Sequence, residues 1–139
     1  MRFLDRLQPL ALLGLRLVLG VIMVVHGYPK VFGGLGKHVS FVTSLGLPGW
    51  WAYLSAAAEF FGGILLIVGV ITRFASLAIL IDMAVAIWKV HWKNGLKGPG
   101  GYEFPLALAT IAFALIFFGA GPISLDSVFF RGGGASPKK

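Results

Sequence analysis

The stretch WWAYLSAAAEFFGGILLIVGVITRFASLAILIDMAVAIWKVHW, residues 50–92, decides the fold. It consists of two apolar runs, about 50–72 and 74–92, with Arg73 between them. A helix rises ~1.5 Å per residue, so about 20 residues cross the ~30 Å hydrocarbon core of a bilayer. Both runs reach that length, and the very short link between them predicts a tight antiparallel hairpin of two membrane helices.

Two further apolar runs, about 9–28 and 105–120, lie on either side of this hairpin. Hydrophobic residues make up 58% of the 139-residue chain and charged residues only 12%, whereas ordinary soluble domains contain roughly 45–50% apolar residues. The first run is longer than the apolar part of a signal peptide, and no A-x-A-like cleavage site follows it, so we interpret it as an uncleaved span. The sequence predicts an all-α membrane protein with one domain, residues 1–131, that forms a four-transmembrane-helix antiparallel bundle.

The segments between and after the spans differ in character. The long first connection carries apolar residues at helical spacing, which predicts a short interfacial helix between helices 1 and 2. The end of the chain, 132–139, is rich in glycine and lysine and is predicted to be a flexible tail. Four spans place both termini on the same side of the membrane.

Charged and aromatic residues indicate the orientation of the bundle. The terminal side collects six basic residues and the other side five, so the positive-inside rule favours cytoplasmic termini in a bacterial inner membrane by a small margin. All four tryptophans and all three tyrosines fall at or near helix ends on the other side, at the interfacial depth that these rings prefer. The net charge of +7 is better explained by the anionic headgroups of a lipid bilayer than by nucleic acid.

Three charged residues lie within the predicted spans: Arg16, Glu59 and Asp82. A charge at bilayer depth is costly unless it is paired or hydrated. Counting along the helices places Arg16 and Asp82 at similar depths, roughly 10–12 Å from the terminal side, with Glu59 nearer the middle. One interpretation is a structural ion pair or triad of Arg16, Asp82 and Glu59. The alternative is that Glu59 is a proton-carrying or ligand-binding carboxyl group.

A second polar layer is predicted near the opposite face, from the ends of spans 1, 3 and 4: His26, Lys30, Trp88, His91 and Glu103. A histidine beside a carboxylate and aromatic rings at the membrane interface can hydrogen-bond a quinone carbonyl and exchange its proton. Together with Glu59, these residues are therefore candidates for binding a quinone headgroup. Histidines that face water or headgroups are the alternative, and ligation of a haem by both is a third. We expect no haem, no other tightly bound cofactor and no metal site.

Four motifs of the chain resemble those of the DoxX family. Arg16 followed by HGYPK (26–30) is similar to the family's first helix, with its arginine and its H-G-x-x-K end. EFFGG (59–63) with GVITR (69–73) resembles an E-x-x-G-G … G-x-x-T-R pattern, and GAGPISLD (119–126) a closing G-x-G-x-x-S-L-D. The resemblance covers about residues 10–127 and implies a four-helix membrane bundle. The residues at its motif positions are Arg16, His26, Lys30, Glu59 and Arg73, whereas Asp82 is singled out by burial alone.

The resemblance also implies a function. Some members of the family are similar to the small membrane subunits of a thiosulfate:quinone oxidoreductase or associate with redox enzymes at the membrane. The implied role is a subunit of a quinone-dependent oxidoreductase rather than an enzyme alone. A non-catalytic accessory subunit of a larger respiratory or photosynthetic membrane complex is the alternative, and a homo-oligomer stays open. The chain has no cysteine, so any redox role runs through a bound quinone, a cofactor or a partner.

Overall fold

The computed structural model describes residues 1–130, and every regular element within them is helical. The elements are α1 (Arg2–Asp5), α2 (Gln8–Val31), α3 (Leu35–Ser44), α4 (Gly49–Val68), α5 (Thr72–Ala86), α6 (Glu103–Phe118) and α7 (Leu125–Phe130). After α5 the chain continues through a π-helical turn, Ile87–His91, and a 3₁₀ turn, Trp92–Asn94. The predicted tail, 132–139, lies outside the described residues.

Three helical segments are long and apolar enough to cross a membrane: Gln8–Val31, Gly49–Val68 and Thr72–Asn94. They confirm that residues 1–130 form an all-α structure with candidate membrane-spanning helices. The fourth apolar helix, α6, has 16 residues, slightly fewer than the ~17 that a thin bilayer region requires. It lies two residues earlier than the predicted 105–120, because Gly119 takes φ +73° and ends it. A fourth span, and with it the placement of both termini on one side, stays a prediction.

The four long helices pack in a ring. α4 contacts α2 and α5, α5 contacts α6, and α6 returns to α2. α3, the predicted short helix between the first two spans, lies against α4. Fully buried side chains such as Leu19, Leu66, Ile79 and Leu115 form the shared core. The outer surface is apolar as well, with rings such as Phe117 more than half exposed, which suits contact with lipid tails.

The hairpin link between α4 and α5 lies earlier than predicted. The expected spans were about 50–72 and 74–92, but α5 already begins at Thr72. Gly69 adopts φ +72° and Ile71 φ +42°, left-handed conformations that end a helix. The link is therefore the three residues between the helices, and the threonine and arginine of the GVITR motif belong to the first turn of α5.

The first long helix extends beyond its predicted end at residue 28. α2 includes Pro29 and runs to Val31, and the backbone N–H of Phe32 still donates to the Tyr28 carbonyl at 2.9 Å. Proline lacks the N–H of one intrahelical hydrogen bond, but the bond from Phe32 closes the last turn. Lys30 therefore belongs to α2 and not to the following loop.

Candidate functional site

A large cavity lies where the C-terminal part of α2, the π-helical turn and the start of α6 meet. Its volume is about 890 Å³, within the ~300–1,000 Å³ typical of small-molecule sites. Five of the six predicted ligand-binding residues line it: His26, Lys30, Glu59, His91 and Glu103. The fold thus brings together polar groups from four elements that are distant in sequence.

Apolar side chains complete the wall of the large cavity. Met23, Met83, Phe104 and Leu108 are among them, and loop glycines form one edge. The structure places the sixth predicted residue, Trp88, elsewhere. Its ring is 66% exposed and lies 4.1 Å beneath the ammonium of the adjacent lysine, so Trp88 faces outward as an interfacial side chain.

Lys30 and Glu59 form an ion pair in the inner wall of the large cavity. The Lys30 Nζ is 2.7 Å from Glu59 Oε1 and 2.6 Å from Oε2, so the ammonium faces both carboxylate oxygens. Glu59 is only 5% exposed. Within residues 1–130 no other ion pair is formed. Removal of one partner from a buried pair leaves the other charge uncompensated, so each side chain fixes the position and charge of the other.

A glycine sets the distance between the helices that carry this pair. A Cβ atom on Gly27 would lie 2.5 Å from the Phe60 nitrogen and 2.9 Å from the Glu59 Cβ. Only a residue without a side chain lets α2 approach α4 this closely. Lys30 lies three residues after Gly27, on the same face of α2, so its amine reaches Glu59. The HGYPK and EFFGG motifs therefore form one structural unit.

Both histidines of the large cavity are held by backbone carbonyl groups. The Nδ1–H of His26 donates to the Ile22 oxygen at 2.8 Å, and that of His91 donates to the Gly100 oxygen at 2.8 Å. In a neutral imidazole one nitrogen donates and the other accepts, so Nε2 is the acceptor in both rings. Each ring can take up a proton at Nε2 and release it again, as a general base or acid does.

A smaller cavity of about 80 Å³ lies behind the ion pair, between α3, α4 and the end of α5. Its polar lining residues are Lys30, His38, Ser55, Glu59, Asp82 and Lys89. Asp82 is 5% exposed. Neither its Oδ2 nor the buried Nε2 of His38 has a hydrogen-bond partner among residues 1–130. Lys30 and Glu59 line both cavities, so the ion pair stands between them.

Three polar residues of the small cavity, His38, Ser55 and Lys89, are absent from the sequence-based candidates. On α3 and its C-terminal cap, the residues His38, Phe41, Val42 and Leu45 follow the spacing of one helix face, and all four line the cavity. The spacing is visible in the sequence, but a pattern that is defined by apolar residues does not include the histidine. Ser55 gives no comparable signal, because a serine in an alanine-rich helix is unremarkable.

The predicted ion pair of Arg16 with Asp82 and Glu59 is wrong. Arg16 is 1% exposed, and Glu59 is paired with Lys30 instead. The guanidinium donates to four carbonyl oxygens: Leu66 at 2.9 Å, Ile67 at 3.2 Å, Ala120 at 2.9 Å and Ile123 at 2.7 Å. Arg16 is therefore level with the last turn of α4, about 12 Å along that helix from Glu59. The depth estimate failed because the helices are offset along the bundle.

Asp126 closes the same end of the bundle. Its carboxylate accepts hydrogen bonds from the backbone N–H groups of Ile71 at 2.7 Å and Thr72 at 2.9 Å, and its own N–H donates to the Gly69 oxygen at 2.8 Å. The carboxylate thus satisfies N–H groups that lack intrahelical partners and faces the positive end of the α5 dipole. The GVITR and GAGPISLD motifs meet here beside Arg16, and their role in the fold is structural.

Comparison with known proteins supports the family resemblance. The DoxX family model matches residues 11–92. A protein of Bacillus subtilis (strain 168) named "Putative oxidoreductase CatD" is 35% identical over 118 residues, which cover 85% of this chain and 86% of that protein. An uncharacterized protein of Haemophilus influenzae is 32% identical over 140 residues, which cover 94% of this chain and 99% of that protein. No solved structure matches the chain significantly.

Proposed function

Because this chain belongs to the DoxX family, we propose that it is a small integral membrane subunit that binds a quinone headgroup and associates with a quinone-linked redox complex. The large cavity carries the proposal, since it gathers His26, Lys30, Glu59, His91 and Glu103 around one space with apolar walls. The binding site, the partner complex and the bacterial inner membrane with cytoplasmic termini are parts of the same proposal.

The residues of the large cavity fit such a headgroup. A quinone combines a flat apolar ring with carbonyl oxygens, so its site needs apolar walls and a small number of hydrogen-bonding groups. Met23, Phe104 and Leu108 supply apolar surface. The Lys30 ammonium supplies a hydrogen-bond donor, and so does either histidine when it is protonated at Nε2. A bound quinone supplies reversible two-electron, two-proton chemistry.

The residues of the chain contribute proton handling to that chemistry. His26 and His91 accept a proton at Nε2 when a hydroxyl group of the ligand loses it, and they return it in the reverse direction. Glu59 keeps the Lys30 ammonium in the cavity wall through their ion pair. Glu103 adds a carboxylate beside the loop glycines, at the end where protons exchange with water.

Electrons pass to or from a partner protein in this proposal. The chain has no cysteine and therefore no thiol–disulfide couple of its own. The oxidoreductase name of the Bacillus subtilis relative supports a redox setting, and both compared relatives are bacterial. The wide exposed apolar surface of the helices is available for lipid and for a partner within the membrane.

The test is purification of the full chain from its native membrane, followed by extraction and chromatography of any quinone that accompanies it. We expect quinone with the wild-type protein and a loss of about tenfold, equivalent to ~1.4 kcal/mol of binding free energy, in His26→Ala and Glu59→Gln. Asp5→Asn is the matched control, because it removes an exposed carboxylate far from the cavity in sequence.

An accessory subunit without a quinone site would behave differently. It would accompany a large complex whose activity stays unchanged in both cavity variants, and that result would overturn the quinone proposal. The size of the purified particle distinguishes a complex from a homo-oligomer. An absorption spectrum of the same sample tests for haem.

A further inference from the structure

Asp82 is a buried acid without a counter-ion among residues 1–130. Four charged or titratable groups share the small cavity with it: Lys30 from α2, His38 from α3, Glu59 from α4 and Lys89 from the π-helical turn. The Lys30 charge is already matched by Glu59 at 2.6 Å, and the Lys89 ammonium lies over the neighbouring tryptophan ring. An ionised Asp82 would therefore leave one negative charge uncompensated in a low-dielectric interior, which is strongly unfavourable.

The small cavity has room for the water that would carry a proton from this acid. Its volume of about 80 Å³ exceeds several-fold the ~10–15 Å³ that one water molecule needs. Asp82 and His38 line this space, and the buried atoms Asp82 Oδ2 and His38 Nε2 have no hydrogen-bond partner among residues 1–130. Buried polar atoms of this kind are normally satisfied by ordered water.

On the basis of the proposed quinone site, we propose that Asp82 is an internal proton store that serves the large cavity through Glu59. Asp82 holds the proton as a carboxylic acid and transfers it, by way of water in the small cavity, to a Glu59 carboxylate oxygen. Glu59, which lines both cavities, passes it to an oxygen of the ligand as two electrons arrive from the redox partner. The second proton comes from solvent at the loop end of the large cavity, so charge and protons balance.

His38 restores the proton to Asp82. It lies on α3, outside the long apolar helices, and is half-buried, so its ring can take a proton from the solvent side and release it into the small cavity from Nε2. This gives a continuous order of groups, from His38 through Asp82 and Glu59 to the ligand. His38, Asp82 and Glu59 all line the small cavity.

The first part of the test needs no quinone. The full chain is reconstituted in lipid nanodiscs, and its infrared spectrum is recorded in the region of the protonated carboxylic acid stretch. We expect a band that shifts when the aspartates carry carbon-13, that is absent in Asp82→Asn, and that persists in Asp5→Asn. The isotope label assigns the band to an aspartate, and a band that persists in both Asp5→Asn and Asp126→Asn belongs to Asp82 even where Asp82→Asn does not fold. A wild-type protein without such a band has an ionised Asp82, and the proposal fails.

The second part follows the proton during reduction. A short-tailed ubiquinone analogue is bound to the reconstituted protein and reduced at an electrode, and the reduced-minus-oxidised infrared spectrum is measured. We expect the Asp82 band to decrease in His38→Gln, in which the proton is not restored, and to remain in the double variant His38→Gln, Glu59→Gln with the same analogue bound. A band that is unchanged in His38→Gln overturns the transfer to Glu59. Binding of the analogue is measured separately by its own absorption, so failure of the quinone site is distinguishable from failure of the Asp82 proposal.

Discussion

At the scale of single residues, Arg16 shows how a charge is accommodated in an apolar helix without an ion pair to any side chain of residues 1–130. A guanidinium group offers five N–H donors in a fixed plane. Two of its acceptors, the Leu66 and Ile67 carbonyls, lie in the last turn of α4, where carbonyl groups lack intrahelical partners and carry the negative end of the helix dipole. The remaining acceptors lie after α6. Arg16 thus ties three segments of the chain together.

Replacement of Arg16 by lysine should therefore destabilise the protein although the charge is kept. A lysine ammonium is a point donor at the end of a flexible chain and cannot reach all four carbonyls at once. Loss of two such charge-assisted hydrogen bonds corresponds to about 3–6 kcal/mol. Thermal unfolding in detergent of Arg16→Lys and of Arg6→Lys, an exposed control, measures the difference. Equal melting temperatures would contradict this role.

His38 should make stability depend on pH. Burial, and then the positive charge of Lys30, lowers its pKa from the ordinary 6.5, while the charge of Glu59 opposes the shift. The unfolded chain therefore binds more protons at this position than the folded protein between the two pKa values. Above about pH 6.5 the neutral His38 makes its full contribution to the free energy of unfolding. This contribution should be lost as the pH falls from 6.5 towards the pKa of His38 in the folded protein.

The melting temperature is measured above pH 6.5 and below the pKa of His38 in the folded protein. Wild type should lose more stability on acidification than His38→Gln, which keeps a polar side chain but cannot titrate in this range. If the melting temperatures of the two proteins fall equally on acidification, groups other than His38 govern the stability at low pH.

Sequence reasoning identifies the rare polar residues at this scale but not their partners. Glu59, His26 and His91 are conspicuous because so few polar groups interrupt the apolar runs. Arg16 is equally conspicuous, yet its acceptors are backbone carbonyls, which no pattern of side chains reveals. Lys30 appeared to lie in a loop, and its pairing with Glu59 depends on α2 continuing through a proline.

At the scale of the helices, the contact between α2 and α4 depends on glycine. Gly27→Ala places a methyl group against the Phe60 backbone, so α2 must move away and carry Lys30 with it. Overpacking of this kind costs about 1–3 kcal/mol. Gly14→Ala is the matched control in the same helix, because nothing lies within 4 Å of its Cβ position and alanine favours helix by up to ~1 kcal/mol.

The two glycine variants should therefore shift the melting temperature in opposite directions, with Gly14→Ala unchanged or more stable. Gly27→Ala should also lose quinone if the ion pair positions the headgroup. A Gly27→Ala protein as stable as Gly14→Ala would mean that the helices tolerate a wider separation than the structure shows.

Helix ends were harder to predict than helix existence. Length and apolar content identify the long helices directly, whereas their boundaries depend on backbone conformation at single residues such as Gly69 and Ile71. The π-helical turn Ile87–His91 had no sequence signal. It inserts one extra residue into a turn and so rotates the following side chains by roughly 100° relative to an α-helix. The position of His91 in the wall of the large cavity results from this turn, whereas Trp88 does not line that cavity.

At the scale of the whole molecule, the motifs come together in two layers. HGYPK and EFFGG meet at the cavities, and GVITR and GAGPISLD meet around Arg16 and Asp126. Sequence reasoning anticipated two polar layers, because polar residues recur at two levels of the predicted spans. It assigned Asp82 to the wrong layer, since the offset between packed helices is fixed by side-chain and backbone contacts along their whole length.

The membrane topology is the remaining prediction at this scale, and the absence of native cysteine makes it directly measurable. Single cysteines at exposed positions, Asp5→Cys, Ser40→Cys, Lys97→Cys and Val128→Cys, are treated with a membrane-impermeant maleimide in intact bacterial cells and after lysis. If α6 crosses the membrane and the termini are cytoplasmic, the Ser40 and Lys97 variants label in intact cells. The Asp5 and Val128 variants then label only after lysis.

A sixteen-residue helix that stays on one face would instead make Val128 label together with Lys97. That result would leave three spans and place α7 on the far side from the N-terminus, where Asp126 could not reach the first turn of α5. Because Asp126 bonds to the first turn of α5, which lies at the Arg16 end of the bundle, we expect α6 to cross.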